Sequence, residues 1–381
     1  MRKVLFINGH LNTGGVERSL VDVLKHMDYK KYAVDLLLLE DTGDYASELP
    51  SEVNVLFRDI HHTYGSFASS IRRCIAAHDW MCLRLRFLFL LRKFFGACAL
   101  KRVATILLGK HHYDCVIGFR PGICSDLAAY SVQTDRKITW WHHGEFNVDR
   151  AAYGDMCGKM NAVAVVSQSC KAMLQEKLPE LESKLVCIPN MLDATAIGQK
   201  AENSPYTDDM LHIVSVGRLA PEKHFENIIP VAKTLRDMST DFVWHIVGDG
   251  SEHARLESLI AENDLKDHVI LEGSKANPYS YMKYAGLFVH PSYIESQGLT
   301  VLEAMALGVP CVVTKSRGPC EFIEDGINGL LTEQSPESLT EKVLSILTDK
   351  TLFQRIKENT VCPEQFAPDR VMKQIEELID G

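Results

Sequence analysis

Two carboxylates, Glu295 and Glu303, bracket the stretch IESQGLTVLEAMALG, in which Gly298 precedes a run of helical character. Backbone N–H groups at a helix start have no partner inside the helix, so Gly298, Leu299 and Thr300 form a natural seat for phosphate. Flanking carboxylates repel phosphate, unless the ligand has a second part that needs them. Sugar hydroxyls donate hydrogen bonds and carboxylates accept them, so a nucleotide sugar reconciles the two. Glu303, one turn into the helix, then holds ribose, and Glu295 faces the transferred sugar. Attraction of a helix-start carboxylate to the macrodipole is the plain alternative for Glu295. VGRLAPEK ends an apolar run with Gly217 and places Arg218 and Lys223 in the next loop, where cations suit a diphosphate. A solvated loop pairing Lys223 with Glu222 or Glu226 is the plain alternative there. NTGGVERSL sets Gly14 and Gly15 where backbone can approach a ligand, but it is neither a Walker loop nor GxGxxG.

These residues follow apolar runs that must be strands. KVLFI (3–7), YAVDLLLL (32–39), DCVIGF (114–119), KITWWHH (137–143), AVAVVS (162–167) and KLVCIP (184–189) alternate with stretches of helical periodicity. LHIVSVG (211–217), FVWHIVG (242–248), HVILEG (268–273), GLFVHP (286–291) and PCVVT (310–314) form a second series. Such alternation predicts parallel βα units, hence two doubly wound α/β domains. The polar stretch 193–209 reads as the linker between them. Ligands of open α/β sheets bind beyond the carboxyl ends of the strands, which directs attention to the loops named above.

At 381 residues, 46% hydrophobic and 24% charged, the chain fits a two-domain globular protein. Its net charge of −9 argues against a nucleic-acid binder. Eleven cysteines without a CxxC pair or a Cys/His zinc spacing fit a reducing cytoplasm. The short apolar run after Met1 is a first strand and not a signal peptide.

GGVER, WWHHGEF, VVSQS, IPN, VGRLAPEK, VGDG, NPYSYMKYAGLFVHPS and ESQGLTVLEAMALGVP, followed by GPCEFIEDGINGLL, occur in one order along most of the chain. Together they resemble glycosyltransferase family 4. The resemblance implies an α/β GT-B architecture, two Rossmann-like doubly wound domains facing a central cleft. Residues 1–192 would bind the acceptor, 193–365 the nucleotide-sugar donor, and 366–381 would form a helix crossing back towards the first domain. It implies transfer with retention of anomeric configuration, with the nucleotide sugar as co-substrate and with no cofactor or metal; no DxD pair suited to a donor metal stands at a strand end. Position by position, the family's E-x7-E pair falls on Glu295 and Glu303, and its diphosphate-binding Arg and Lys on Arg218 and Lys223. Its reaction-centre histidine falls on His143, followed by Gly144, with His142 as the neighbouring alternative. Its glycine loop falls on Gly14 and Gly15, and its base contacts on Gly273, Ser274 and Lys275. Gln297, where many members have an aromatic, His224, where they have Gly, and Gly286, where they have Asp, depart from the pattern.

One segment stands apart electrostatically. From Arg72 to Arg102 eight basic residues accompany one acid, a local +7 that leaves −16 elsewhere. Its apolar residues cover every helical face near Phe87–Leu91, and arginines interrupt it too often for a bilayer span. A buried helix with basic ends and an interfacial element at an anionic membrane surface are the two readings. The expected function is transfer of a hexose or N-acetylhexosamine, UDP-sugar favoured, to a glycan acceptor, lipid-linked, in bacterial surface polysaccharide synthesis on the cytoplasmic side of the cell membrane. A non-hydrolysing sugar-nucleotide epimerase and a non-catalytic nucleotide-sugar binding protein are the competing readings.

Overall fold

The computed structural model of the chain describes residues 1–40, 42–109, 111–130, 134–142 and 150–381. Seven strands, β1 (Arg2–Asn8), β2 (Tyr32–Leu38), β3 (Asn54–Phe57), β4 (Tyr113–Gly118), β5 (Thr134–Trp141), β6 (Ala162–Val165) and β7 (Leu185–Cys187), form one sheet in the order β3-β2-β1-β4-β5-β6-β7. Six more, β8 (Leu211–Val216), β9 (Phe242–Val247), β10 (Val269–Gly273), β11 (Leu287–His290), β12 (Cys311–Thr314) and β13 (Leu330–Thr332), form a second in the order β10-β9-β8-β11-β12-β13. All pairings between these strands are parallel. Buried on both faces, they read as continuous apolar runs: every side chain of FVWHIV in β9 is buried.

The helices between them are α1 (Gly15–His26), α2 (Phe67–Ala76), α3 (Trp80–Leu108), α4 (Ile123–Tyr130), α5 (Arg150–Gly158), α6 (Gln168–Lys177), α7 (Ala194–Lys200), α8 (Ile228–Asp237), α9 (His253–Glu262), α10 (Tyr279–Lys283), α11 (Leu299–Ala306), α12 (Pro336–Thr348), α13 (Lys350–Asn359) and α14 (Pro368–Asp380). In each sheet the strand order reverses direction beside the first strand, between β1 and β4 and between β8 and β11. These are the switch points where ligands of such folds bind.

The 193–209 stretch is not wholly a linker. Asp193 caps α7 by accepting from Ala196 N–H, and Leu192, Ile197 and Ala201 pack into the core of the second sheet. α14 returns to the first sheet. Val371, Met372, Ile375, Leu378 and Ile379 make one apolar stripe that joins the first core, while Asp380 pairs with Arg2 and Lys31. The two crossings between the sheets are bonded to each other through Leu192 N–H and Phe366 O, 2.8 Å apart.

α3 resolves the puzzle of its sequence. Cys82, Leu85 and Leu88 are buried, while Phe87, Leu91 and Phe94 form an exposed stripe at three- to four-residue spacing, with the exposed Trp80 two turns before it; Phe94 is 78% exposed. The segment is apolar all round because one face meets the core and another meets solvent. Gly96, at φ 42° and ψ −116°, kinks the helix directly after Phe94 and Phe95.

Candidate active site

The loop after β8 and the loop after β11 face each other at the switch point of the second sheet. Lys223 Nζ donates to Glu295 Oε1 at 2.5 Å, and His290 Nε2 reaches the same oxygen at 2.6 Å. His290, on the last position of β11, is buried, as Phe288 beside it is. Burial alone would raise the Glu295 carboxyl, but Lys223 and His290 outweigh it and hold it at about 2. Lys223 thus pairs neither with Glu222 nor with Glu226. Arg218 does pair with Glu222, at 3.0 Å, with its side chain 73% exposed. The four-residue spacing of Arg218 and Glu222 on the turn that follows β8 accounts for that pairing.

Gly298 caps α11 in the left-handed region, φ 84°, and a Cβ there would lie 2.8 Å from Pro319 Cγ; both facts require glycine. Helical bonding starts with Val301 N–H and Leu302 N–H to Gly298 O, which leaves the amides of Gly298, Leu299 and Thr300 ahead of the first helical donor. Gly14 and Gly15 arrive at this seat from the first sheet. Gly14 is extended, and its role is spatial: a Cβ would sit 2.4 Å from Glu17 Oε2. A Cβ on Gly15 would lie 3.6 Å from Leu299 Cδ1, so the glycine loop abuts the start of α11 across the interface.

Glu303 lies one turn deeper. Tyr279 O–H donates to its Oε1 at 3.2 Å, and with Arg18, Asp22 and Lys200 it lines a small cavity between α1, α7 and α11. Burial raises its carboxyl to about 7, against the hydrogen bond from Tyr279. The two glutamates of one loop and helix therefore sit at opposite ends of the carboxylate range.

Gln297 is fully engaged. Its Oε1 accepts from Asn190 N–H at 2.8 Å and its Nε2 donates to Asn190 O at 3.0 Å, while Ser19 Oγ donates to Asn190 Oδ1 at 2.7 Å. An amide makes this two-pronged backbone bond; an aromatic side chain cannot. Glu321 adds a second cross-interface tie by accepting from the Gln168 and Ser169 amides at the start of α6.

The Gly273, Ser274, Lys275 loop follows β10, with Gly273 at φ 71° and Lys275 3.7 Å from Glu272. Glu272 ends a polar chain, buried at its two histidines, that the sequence reading missed. Asp208 Oδ1 meets His212 Nε2 at 3.0 Å, His212 Nδ1 meets His245 Nε2 at 3.1 Å, and His245 Nδ1 meets Glu272 Oε1 at 2.8 Å. Tyr281 O–H donates to Glu272 Oε2, and the Tyr206 ring stacks on His212 at 3.8 Å. Burial lowers the basicity of His245, the deeper of the two. Histidines inside otherwise apolar strands, LHIVSV, FVWHIV and LFVH, were the available signal for this chain and for His290.

His143 and Gly144 lie outside the described residues. His142 is buried against Phe119 and Trp140, with ring centroids 4.8 and 6.0 Å away. Among the described residues, the side-chain groups spaced to hold a cation are His62, Asp79, Cys82 and His112, Asp114, Asp135, all on the first sheet's side of the chain.

Residues 199–361 match the family described as glycosyl transferases group 1. The chain is 33% identical over 156 residues to the alpha-D-kanosaminyltransferase of Streptomyces kanamyceticus, a match covering 40% of each chain. It is 28% identical over 181 residues to the poly(ribitol-phosphate) alpha-N-acetylglucosaminyltransferase of Staphylococcus aureus, 46% of this chain and 36% of the relative. The chain thus spans 40% or less of the length of these curated relatives. Among solved structures, Anabaena HepE in complex with UDP and glucose superposes with a TM-score of 0.74 at 19% identity, covering 100% of both chains. A TarM variant of S. aureus in complex with fondaparinux, alpha-GlcNAc-glycerol and UDP gives 0.72 at 15%, again over 100% of both. At such identities the likeness shows the fold alone, which is GT-B. The chain carries a glycosyl transferases group 1 domain at residues 199–361, built into that fold.

Proposed function

We propose that the chain is a retaining glycosyltransferase that moves a hexose or N-acetylhexosamine from a UDP-sugar to a glycan acceptor, lipid-linked, in bacterial surface polysaccharide synthesis. The observation that carries the reading is the Lys223–Glu295–His290 cluster beside the amides that open α11, with the Gly15 backbone facing Leu299. Support for the donor comes from UDP in the HepE and TarM complexes, and for the acceptor class from the relative acting on poly(ribitol-phosphate).

Lys223 has three N–H donors, so it can keep Glu295 and take a phosphate oxygen as well. With the Gly298, Leu299 and Thr300 amides it stabilises charge that grows on the diphosphate as the bond from anomeric carbon to phosphate oxygen breaks. The acceptor hydroxyl bonds to that carbon on the same face, and its proton passes to the departing diphosphate. Glu295, fixed as an anion by Lys223 and His290, orients the sugar hydroxyls. Glu303 accepts from the ribose, Gly273, Ser274 and Lys275 border the base, and the resemblance gives His143 the reaction-centre role. Arg218 joins the diphosphate by leaving Glu222, an exposed pair that holds it weakly. No metal takes part.

Among the described residues no helix is long and apolar enough to cross a membrane. The exposed Trp80, Phe87, Phe94 and Phe95, interleaved with Arg84, Lys101 and Arg102, suit the cytoplasmic face of an anionic bilayer. Nucleotide release from UDP-, GDP-, ADP- and TDP-sugars, with and without lipid-linked acceptors, tests the reading. Acceptor-dependent release of UDP supports it. Saturable binding without release marks a binding protein, and interconversion of the sugar without release marks an epimerase.

A further inference from the structure

Asp79 and Cys82 stand three residues apart at the start of α3, and the fold brings a distant histidine onto them. Asp79 caps the helix, its Oδ1 accepting from Cys82 N–H at 2.9 Å, which leaves Oδ2 for another partner. His62, in the short helical turn His61–Thr63 after β3, brings Nδ1 to that Oδ2 at 3.0 Å. An imidazole nitrogen, a carboxylate oxygen and Cys82 Sγ all lie within 4.8 Å of one another. Sixteen residues separate His62 from Asp79, so no zinc-type spacing marks the group in the sequence.

The backbone holds these side chains together. His78 takes a left-handed conformation, φ 52°, as the chain turns from α2 into α3, and Asp79 N–H then donates to Cys74 O at 2.8 Å. That conformation is uncommon outside glycine and persists where the surrounding structure requires it. Cys82 is fully buried, and its S–H donates to Asp59 O at 3.3 Å. The side chains of His62 and Asp79 are each 23% exposed, so solvent and its ions reach the group from their side.

One nitrogen, one oxygen and one sulfur make a mixed donor set. Zinc takes all three, whereas magnesium and calcium take oxygen. Zinc bonds of about 2.0–2.3 Å set tetrahedral ligand atoms roughly 3.3–3.6 Å apart, so shifts of about an ångström close the three on an ion. A thiolate and a carboxylate together cancel a divalent charge, which leaves the filled site neutral beside the buried sulfur. On binding, the Cys82 proton passes to solvent and Sγ exchanges the Asp59 carbonyl for the metal. Three protein ligands leave the fourth position to water.

We infer that His62, Asp79 and Cys82 form an exchangeable zinc site that clamps the turn after β3 to the start of α3. The inference is independent of the transferase reading, and the ion takes no part in the transfer.

Equilibrium dialysis of the full chain against zinc chloride should leave one tightly held zinc per chain, which EDTA removes. Cobalt(II) in its place should show a thiolate-to-metal charge-transfer band and the visible bands of tetrahedral cobalt. Asp79→Asn, which keeps an oxygen to cap α3, and Cys82→Ser should each weaken zinc at least tenfold. Cys98→Ser, at an exposed thiol outside the group, should leave it unchanged. Zinc should raise the melting temperature of wild type and not of Asp79→Asn or Cys82→Ser, and melts without zinc report that both variants fold. Absence of a bound equivalent, cobalt bound without the thiolate band, or undiminished zinc binding by Asp79→Asn or Cys82→Ser would each overturn the inference.

Discussion

Lys223 Nζ and Glu295 Oε1 lie 2.5 Å apart across the mouth of the second sheet, and both side chains are mostly buried. The pair joins the two loops that a diphosphate and its sugar must share, so Lys223 is expected to act on the diphosphate both in binding and in the transition state. Lys223→Ala should lower kcat at least roughly tenfold, the equivalent of ~1.4 kcal/mol of transition-state stabilisation. Steady-state release of nucleotide measures it. An unchanged kcat would remove Lys223 from the site.

Glu295 and Glu303 should pull stability in opposite directions with pH. Glu295, lowered to about 2 from an ordinary 4.5, contributes stability that is present above about pH 4.5 and lost as pH falls towards 2. Glu303 is raised to about 7, so between 4.5 and 7 the folded chain holds a proton that the unfolded chain has released. Stability therefore falls as pH rises through that window, by on the order of 3 kcal/mol once Glu303 is ionised. Glu303→Gln should raise the melting temperature at pH 8 and leave it nearly unchanged at pH 4.5. A variant no more stable than wild type at pH 8 contradicts the buried placement of Glu303.

His245 stands in the Asp208–His212–His245–Glu272 chain with its basicity lowered by burial. A depressed imidazole lets the unfolded chain take up a proton before the folded one, so stability is present above the ordinary histidine value of 6.5 and falls as pH drops below it. Tyr206, Tyr281 and Lys275 are the other titratable groups facing the chain. His245→Gln should therefore show a smaller fall in melting temperature than wild type when pH is lowered from about 7.5 to about 5.5. An equal fall in the variant would contradict the lowered basicity of His245.

Gln297 closes a buried two-pronged bond on Asn190, where the chain crosses between the sheets. Gln297→Ala leaves the Asn190 amide and carbonyl unpaired, at a cost of roughly 1–3 kcal/mol. Thermal denaturation should show the loss, and Gln297→Glu, which sets a buried carboxylate against the Asn190 carbonyl, should be no more stable than Gln297→Ala at neutral pH. Wild-type stability in Gln297→Ala would contradict the tie.

The strands of both sheets were legible because parallel strands are buried on both faces and read as plain apolar runs. β3 and β13, each at a sheet edge, were missed: NVLF is four residues and mostly exposed, and LLT is only three residues long. α7 was hidden in polar sequence since only Ile197 of its residues is buried. The outward stripe of α3 could not be told from core by periodicity alone, because both its faces are apolar. At the site, Lys223, Glu295, Glu303 and the α11 amides could be read from residue type and spacing. Which carboxylate Lys223 takes could not, because Glu222, Glu226 and Glu295 all lie within reach of a flexible side chain and only the fold decides. His290, Tyr279 and Asn190 meet their partners through tertiary packing, which spacing does not encode.

The division of the donor between Lys223 and Glu303 is tested most directly by titrating UDP and uridine into three chains: wild type, Lys223→Met and Glu303→Gln. Lys223→Met should weaken UDP at least tenfold and leave uridine unchanged, since uridine has no phosphate to lose. Glu303→Gln should weaken both ligands by similar factors, because both carry the ribose. Equal loss of UDP and uridine in Lys223→Met, or an undiminished affinity for uridine in Glu303→Gln, would contradict the account.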